Sequence, residues 1–344
     1  MKFVLSVLFS LCIADAHTCT TFLLKRGNEL VFGRNYDWVT GNGIVNTNLR
    51  NIQKRSGSAG ADSALTWTSQ YGSITFNQYG KEFPTGGMNE KGLVVELMWL
   101  DGSQFPTPDH RPALGVLQWI QYQLDCHATV AEVIASNKSV RIQDPDAPLH
   151  YFIADSSGAS ATIEFIKGEM VVHTGATLQL PVLANETYTA SLDAFRSGNT
   201  TRNNSHSRFA KACERVTAFH AAPSGTSAID YAFATLEQLA QGDFTRWQIV
   251  YDINRKEIRF RTNVSRGIRS LSFSELKFDC PTLPLMLDID DGSGDISSRM
   301  NPYDPEENLR SITRSVRESQ SRIRVAGDRI ARQTQLIETF KCLN

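Results

Sequence analysis

The chain is most informative at Cys19-Thr20-Thr21-Phe22-Leu23-Leu24-Lys25-Arg26-Gly27-Asn28-Glu29-Leu30-Val31-Phe32-Gly33-Arg34-Asn35-Tyr36-Asp37-Trp38. Residues 20–24 and 30–32 carry β-branched, aromatic and aliphatic side chains, and Gly27-Asn28 between them is a turn pair. The spacing predicts a β-hairpin that begins at a cysteine. Its second strand brings back Arg34 and Asp37. A strand Arg/Asp pair is by itself a common surface ion pair, so the meaning of this one depends on Cys19.

Upstream, Lys2 precedes an apolar run over 3–13, and Ala14-Asp15-Ala16 has the A-x-A form of a signal-peptide cleavage site. The run is too short to span a bilayer as a helix, and no later stretch is apolar for longer. The expectation is a signal segment over 1–18 and a secreted or periplasmic protein with no stable membrane span. Lys+Arg 35 against Asp+Glu 36 gives a net charge of -1, with no field to attract nucleic acid. The 41% hydrophobic content excludes disorder of the whole chain. Of the 6 cysteines, Cys12 would leave with the signal, and Cys126, Cys213, Cys280 and Cys342 lie beyond Cys19. In an oxidising compartment those four allow three pairings; Cys280–Cys342 is the one that would tie the C-terminal tail back to the domain.

Downstream, further strands are predicted at 73–76, 93–99, 151–154, 161–166, 170–173, 248–251 and 257–261, and helices at 114–124, 130–134, 209–219 and 229–239. Strands in runs, with helices in runs between them, point to stacked layers and not to a βαβ alternation. The domain should cover 19–287. Residues 288–344 read as an Asp/Gly/Ser/Pro-rich linker followed by one Arg-rich amphipathic helix that packs a single face on the domain. Asn137, Asn185, Asn199, Asn203 and Asn263 are formal glycosylation sequons. The 7 histidines form no H-E-x-x-H and no close ligand spacing, so no metal or other cofactor is implied.

Three chemistries compete at Cys19. A lipid-anchored cysteine wants a small residue immediately before it, and Thr18 is a poor match. A plain disulfide or buried cysteine is the second. The third is an N-terminal nucleophile: once cleavage exposes Cys19, one residue carries a thiol and an α-amine of ordinary pKa about 7.7–8.0, which serves as general base near neutral pH. The thiolate attacks an amide carbonyl, the ammonium protonates the leaving nitrogen, and water hydrolyses the thioester. This needs a cation to favour thiolate, a carboxylate to orient the amine, and donors for the oxyanion.

With those residues quoted, the sequence resembles the choloylglycine hydrolase/penicillin V acylase family of linear-amide hydrolases. The motifs are Cys19-Thr20-Thr21-Phe22, Gly33-Arg34-Asn35-Tyr36-Asp37-Trp38, Gly87-Met88-Asn89-Glu90-Lys91-Gly92-Leu93, Val182-Leu183-Ala184-Asn185, Ser207-Arg208-Phe209 and Thr245-Arg246-Trp247. The resemblance implies an α+β fold, a four-layer αββα sandwich with two stacked antiparallel sheets between helices, of the Ntn-hydrolase type. It implies Cys19 as nucleophile and base, Asp37 orienting the amine, and Arg34 and Arg208 flanking the sulfur. Asn185 and the backbone N–H of Asn89 are implied as the oxyanion hole. Trp38 and Trp99, with Leu65-Thr66-Trp67-Thr68-Ser69, resemble the Gram-negative branch, in which two tryptophans line an acyl pocket. The implied substrate is a small linear amide of the penicillin V, N-acyl homoserine lactone or conjugated bile acid type. A homo-oligomer is compatible with this, and a secreted binding protein on the same scaffold is the competing reading. Three features depart from the family pattern: Glu186-Thr187 follows Asn185, His17-Thr18 separates the A-x-A site from Cys19, and the Arg-rich tail has no counterpart.

Overall fold

A computed structural model describes residues 19–57, 64–143, 147–201, 204–221, 225–325 and 327–343. The signal run, Ala14-Asp15-Ala16, Cys12, His17-Thr18 and the Asn203 sequon lie outside the described residues.

The opening hairpin forms as β1 (Thr20–Arg26) and β2 (Glu29–Asp37), in register with Thr20 opposite Asn35 and Thr21 opposite Arg34. Gly27 takes φ +56° in the turn, a left-handed backbone that glycine adopts without steric cost. The hairpin sits inside a seven-stranded sheet. Val182–Leu183 flanks β1 on one side, and Thr245–Asp252, Glu257–Thr262 and Arg269–Ser272 continue outward from β2. A nine-stranded sheet packs against it. That sheet runs from Glu169–Thr174 through Ser160–Ile166, Leu149–Ala154, Val94–Trp99, Gly86–Asn89, Ser73–Asn77 and Ile44–Asn48 to Leu285–Asp288 and Asn301–Pro302.

Alternation in Val94–Trp99 explains the layering. Val94 and Met98 belong to the core between the sheets, while Val95 and Leu97 belong to a second core on the outer face. That outer core is closed by α1 (Val116–Cys126) and α2 (Val130–Ser136). The seven-stranded sheet is covered by α3 (Tyr188–Arg196), α4 (Asn204–Ala221) and α5 (Ala228–Leu239), with Asn35 of β2 donating to the Leu236 carbonyl of α5 at 2.8 Å. The result is the four-layer αββα sandwich.

Several elements escaped the sequence reading, among them Ile44–Asn48, Gly86–Asn89 and α3. Ile44–Asn48 is fully buried but polar at Asn46, Thr47 and Asn48, so it lacks an apolar alternation. Gly86–Asn89 is also buried, and its glycines hide the strand. In α3 the apolar face is short.

The tail differs from the expected linker and single helix. Residues 285–302 are woven into both sheets, by Leu285–Asp288 against Ile44–Asn48 and by Gly294–Asp295 against Arg269–Ser272. Two helices follow, α6 (Pro305–Glu318) and α7 (Gly327–Glu338). Asp304 caps α6 by accepting from the Glu306 N–H at 2.8 Å, with Pro305 at the first helical position. Lys341–Cys342 then pairs with the strand Ile52–Arg55, and a disulfide joins Cys280 to Cys342. Cys126 and Cys213 carry no disulfide. No helix among the described residues is long and apolar enough to cross a membrane.

Candidate active site

The start of β1 places Cys19, 4% exposed, at the floor of a cavity of about 1200 Å³. Its thiol is held by the end of the neighbouring strand: Sγ lies 3.6 Å from the Asp37 carbonyl, and the Asp37 N–H points at Sγ from 3.4 Å. Burial pushes the thiol pKa up, and the Asp37 carboxylate adds to that. The Arg34 and Arg208 guanidinium groups and the Asp37 N–H pull it back down. At neutral pH the resting group is therefore a thiol that needs a base.

Arg208, 2% exposed, reaches from α4 to the back of this residue. It donates to the Cys19 carbonyl at 2.5 Å, to Thr20 Oγ1 at 2.5 Å and to Asn185 Oδ1 at 3.0 Å, and its Nε donates to Asn204 Oδ1 at 3.0 Å. Asn204 lies one helical turn earlier, so α4 holds its own guanidinium straight. Burial lowers the Arg208 pKa to about 10, opposed by Asp37 and Cys19, and it stays charged at neutral pH.

Because a guanidinium only donates, Arg208 fixes Asn185 with its amide oxygen turned inward. Asn185 Nδ2 then donates to the Trp99 carbonyl at 2.8 Å, on the cavity side. The Asn185 N–H donates to Ser205 Oγ at 2.9 Å, and His150 Nε2 holds the preceding Ala184 carbonyl at 2.8 Å. The unusual Glu186-Thr187 pair has a local role: Thr187 caps α3, accepting from the Ala190 N–H at 3.3 Å, so a helix starts immediately after the site.

Arg34 is fully buried between the sheets and does not open on the cavity. It pairs with Glu96 and donates to the Thr85 carbonyl at 2.9 Å and the Leu97 carbonyl at 3.1 Å. Tyr251 donates to the same Glu96. A Cβ on Gly86 would sit 1.9 Å from Glu96 Oε2, so only glycine leaves room for the pair. Glu96 was missed in the sequence. The signal was a single carboxylate inside the otherwise apolar Val94–Trp99, which is tolerated only if paired.

The structure corrects the Asn89 assignment. Asn89 lies at the far end of Gly86–Asn89, about 13 Å along the strand from Thr85, which borders the cavity. Its N–H donates to the Leu93 carbonyl at 3.0 Å, and its side chain ties Leu124 and His127. It builds the turn of the Gly86–Trp99 hairpin and does not border the cavity.

Trp38 and Trp99 do border it, as a tilted pair with ring centroids 5.8 Å apart. Trp38 Nε1 donates to Tyr79 Oη at 2.8 Å and Ser319 Oγ at 3.3 Å, and Trp99 Nε1 to Asp101 at 2.7 Å. The indoles thus present apolar faces while their N–H groups are satisfied. Ser319 was not foreseen, because it lies 281 residues from Trp38 in sequence.

A family model for linear amide C–N hydrolases, choloylglycine hydrolase family, matches residues 19–227. A penicillin V acylase from Pectobacterium atrosepticum is 41% identical over 143 residues, which cover 37% of this chain and 38% of that relative, so the chain aligns with well under half its length. The structure of penicillin V acylase from Agrobacterium tumefaciens superposes with a TM-score of 0.73 at 28% identity, over 83% of this chain and 98% of that one. A mutant conjugated bile acid hydrolase from Clostridium perfringens gives 0.67 at 16% identity, over 80% and 98%, a likeness of fold. With the matched region starting at Cys19 and running through the Cys19–Asp37–Asn185–Arg208 constellation, the chain belongs to the choloylglycine hydrolase family of linear amide C–N hydrolases.

Proposed function

We propose that this protein is exported, loses residues 1–18, and hydrolyses a linear non-peptide amide with Cys19 as an N-terminal nucleophile. The observation that carries the reading is the buried thiol of Cys19 opening on a large cavity while Arg208 grips the same residue's carbonyl from behind. Burial that raises the thiol pKa makes a built-in base necessary, and a freed α-amine on the same residue meets that need.

The Cys19 α-amine takes the thiol proton, and Sγ attacks the substrate carbonyl. The developing oxyanion is met by the Asn185 amide, pre-aimed by Arg208. The ammonium, oriented by Asp37, gives its proton to the leaving nitrogen; the C–N bond breaks and a thioester to Cys19 forms. Water, deprotonated by the same amine, attacks the thioester and frees the carboxylic acid and the thiol. Arg34 acts indirectly: paired with Glu96, it holds the sheets in place beneath the sulfur and lends positive potential there.

Trp38 and Trp99 are apolar faces for an aromatic or long-chain acyl group, which favours phenoxyacyl or fatty-acyl amides, of the penicillin V or N-acyl homoserine lactone kind, over bulkier bile acid conjugates. The test pairs N-terminal sequencing of the secreted protein with an amide screen of wild type and Cys19→Ala. The expected result is a mature chain starting at Cys19, active in wild type and reduced at least about 10³-fold in the variant. A folded Cys19→Ala enzyme that keeps near wild-type turnover would sink the mechanism. Intact His17-Thr18 with no amide turnover would favour a binding protein instead.

A further inference from the structure

The buried face of α6 is divided into two rows, and one of them borders the cavity that Cys19 floors. The first row is polar. Asn308, Ser311, Ser315 and the capping Ser319 recur at helical spacing, and all are buried. They fasten the helix to the domain. Lys81 N–H donates to Asn308 Oδ1 at 2.9 Å, and Asn42 Nδ2 donates to Ser311 Oγ at 3.0 Å and to Ser315 Oγ at 2.7 Å. Ser319 Oγ accepts from Trp38 Nε1 at 3.3 Å and lies 2.9 Å from Tyr79 Oη, and Thr40 donates to Glu318 beside it. The second row is apolar. Ile312 and Val316, one turn apart, both border the cavity.

The polar row makes the apolar one rigid. Serine side chains are short, so α6 approaches the domain closely while their hydroxyls meet buried donors. A Cβ on Gly80 would lie 2.7 Å from Ile312 Cδ1, so the helix rests directly on the backbone there and cannot retreat. Ile312, at 1% exposure, is the braced residue, whereas Val316, at 9%, keeps more of its surface free towards the cavity it borders. Val316 also stands one turn before the serine that holds the Trp38 indole N–H. The valine and the tryptophan therefore belong to one stretch of wall, and a wall that cannot shift discriminates by size.

We propose that α6 is a specificity-determining wall of the acyl pocket, in which Val316 limits how much acyl group fits beside Trp38. Ile312 braces this wall against Gly80, and Ser319 is a positioning residue for the indole. The proposal rests on the reading of this cavity as the substrate site with the acyl group on Trp38. The ligand class is an uncharged aliphatic acyl chain, which an isopropyl group and an indole face receive by shape and apolar contact alone.

The test uses N-butanoyl-, N-octanoyl- and N-dodecanoyl-glycinamide, with N-octanoyl-phenylalaninamide to vary the amine part. Binding is measured by calorimetry on Cys19→Ala, and kcat/KM on the enzyme with Cys19 intact. Both are repeated with Val316→Ala, which widens the wall, Val316→Phe, which narrows it, and Thr313→Ala on the exposed side of the same helix. Thermal melts establish which variants are folded; the two Val316 changes act in opposite directions, so either one decides. The expected result is that Val316→Ala raises the dodecanoyl-to-butanoyl ratio about tenfold and Val316→Phe lowers it by a similar factor. Thr313→Ala should leave that ratio in place, and the preference between the two octanoyl amides should not move in any variant. An unmoved chain-length ratio overturns the proposal, as does a shift that follows the amine part or that Thr313→Ala reproduces. If the enzyme with Cys19 intact cleaves none of the amides, the hydrolase reading falls, and the chain-length ratio of binding to Cys19→Ala decides the wall by itself. Absence of binding by every probe overturns both.

Discussion

Arg208 brings together residues that lie far apart in the chain. Its donors reach Cys19, Thr20 and Asn185 at once, and its neighbour Asn204 on α4 aims it. The Asn185 amide owes its orientation to this guanidinium, so the proposed oxyanion contact depends on it. Asn185→Ala is expected to lower kcat by about 10²–10³ with little change in KM, as befits a donor engaged mainly in the transition state; an equal rise in KM with kcat untouched would speak for a ground-state contact. Asn185 is also a formal sequon, yet it is 9% exposed and bonded at both ends of its amide. Peptide mapping of protein secreted from a glycosylating host should find Asn185 unmodified. The meeting of Cys19, Asp37, Asn185 and Arg208 around one cavity end was readable from local motifs, because each motif keeps its residue beside the turn, cap or helix that positions it. The role of Asn89 was misread because a motif names a residue and not the end of the strand on which it falls.

At the scale of elements, β1 and β2 were legible because a two-residue turn between apolar runs specifies its own register. The helices α1, α4 and α5 were legible by their periodicity. Ile44–Asn48 was not, since buried asparagines and threonines carry no period and are satisfied only by partners elsewhere: Asn48 donates to Ser73 and Thr75. The same region holds Lys81, which donates to the Thr47 carbonyl at 3.0 Å and to Asn48 Oδ1 at 2.7 Å while its own N–H anchors α6. Burial lowers the Lys81 pKa to about 8 from an ordinary 10.5, with Glu82 and Asp125 opposing the shift. Between those values the unfolded chain binds more protons at this site than the folded one, so folding stability rises with pH across the window and is lost again as pH falls towards 8. Denaturant melts from pH 7.5 to 10.5 should show wild type gaining about 1–3 kcal/mol relative to Lys81→Met. A flat difference would mean that Glu82 keeps the ammonium charged throughout.

For the whole molecule, the disulfide closes a loop of 62 residues that contains the final strands of the nine-stranded sheet, α6 and α7. Chain entropy assigns such a cross-link about 4 kcal/mol. Cys280→Ser with Cys342→Ser should lower the thermal midpoint and open 319–342 to limited proteolysis before the sandwich unfolds; an unchanged digestion pattern would show that the polar seam along α6 suffices alone. The amino-acid sequence by itself determined the hairpin and the layered α+β architecture, and it singled out Cys19, Asp37 and Asn185, which border the cavity, and Arg208, which donates to two of them, because turns, periodicities and caps act within a few residues. Only the tertiary structure decided that Arg34 belongs to Glu96, that Asn89 belongs to a turn, and that the tail walls the cavity over Cys19. Those facts depend on which surfaces meet across two sheets, and a buried charge or an amphipathic helix states in its own sequence that it needs a partner without saying which one.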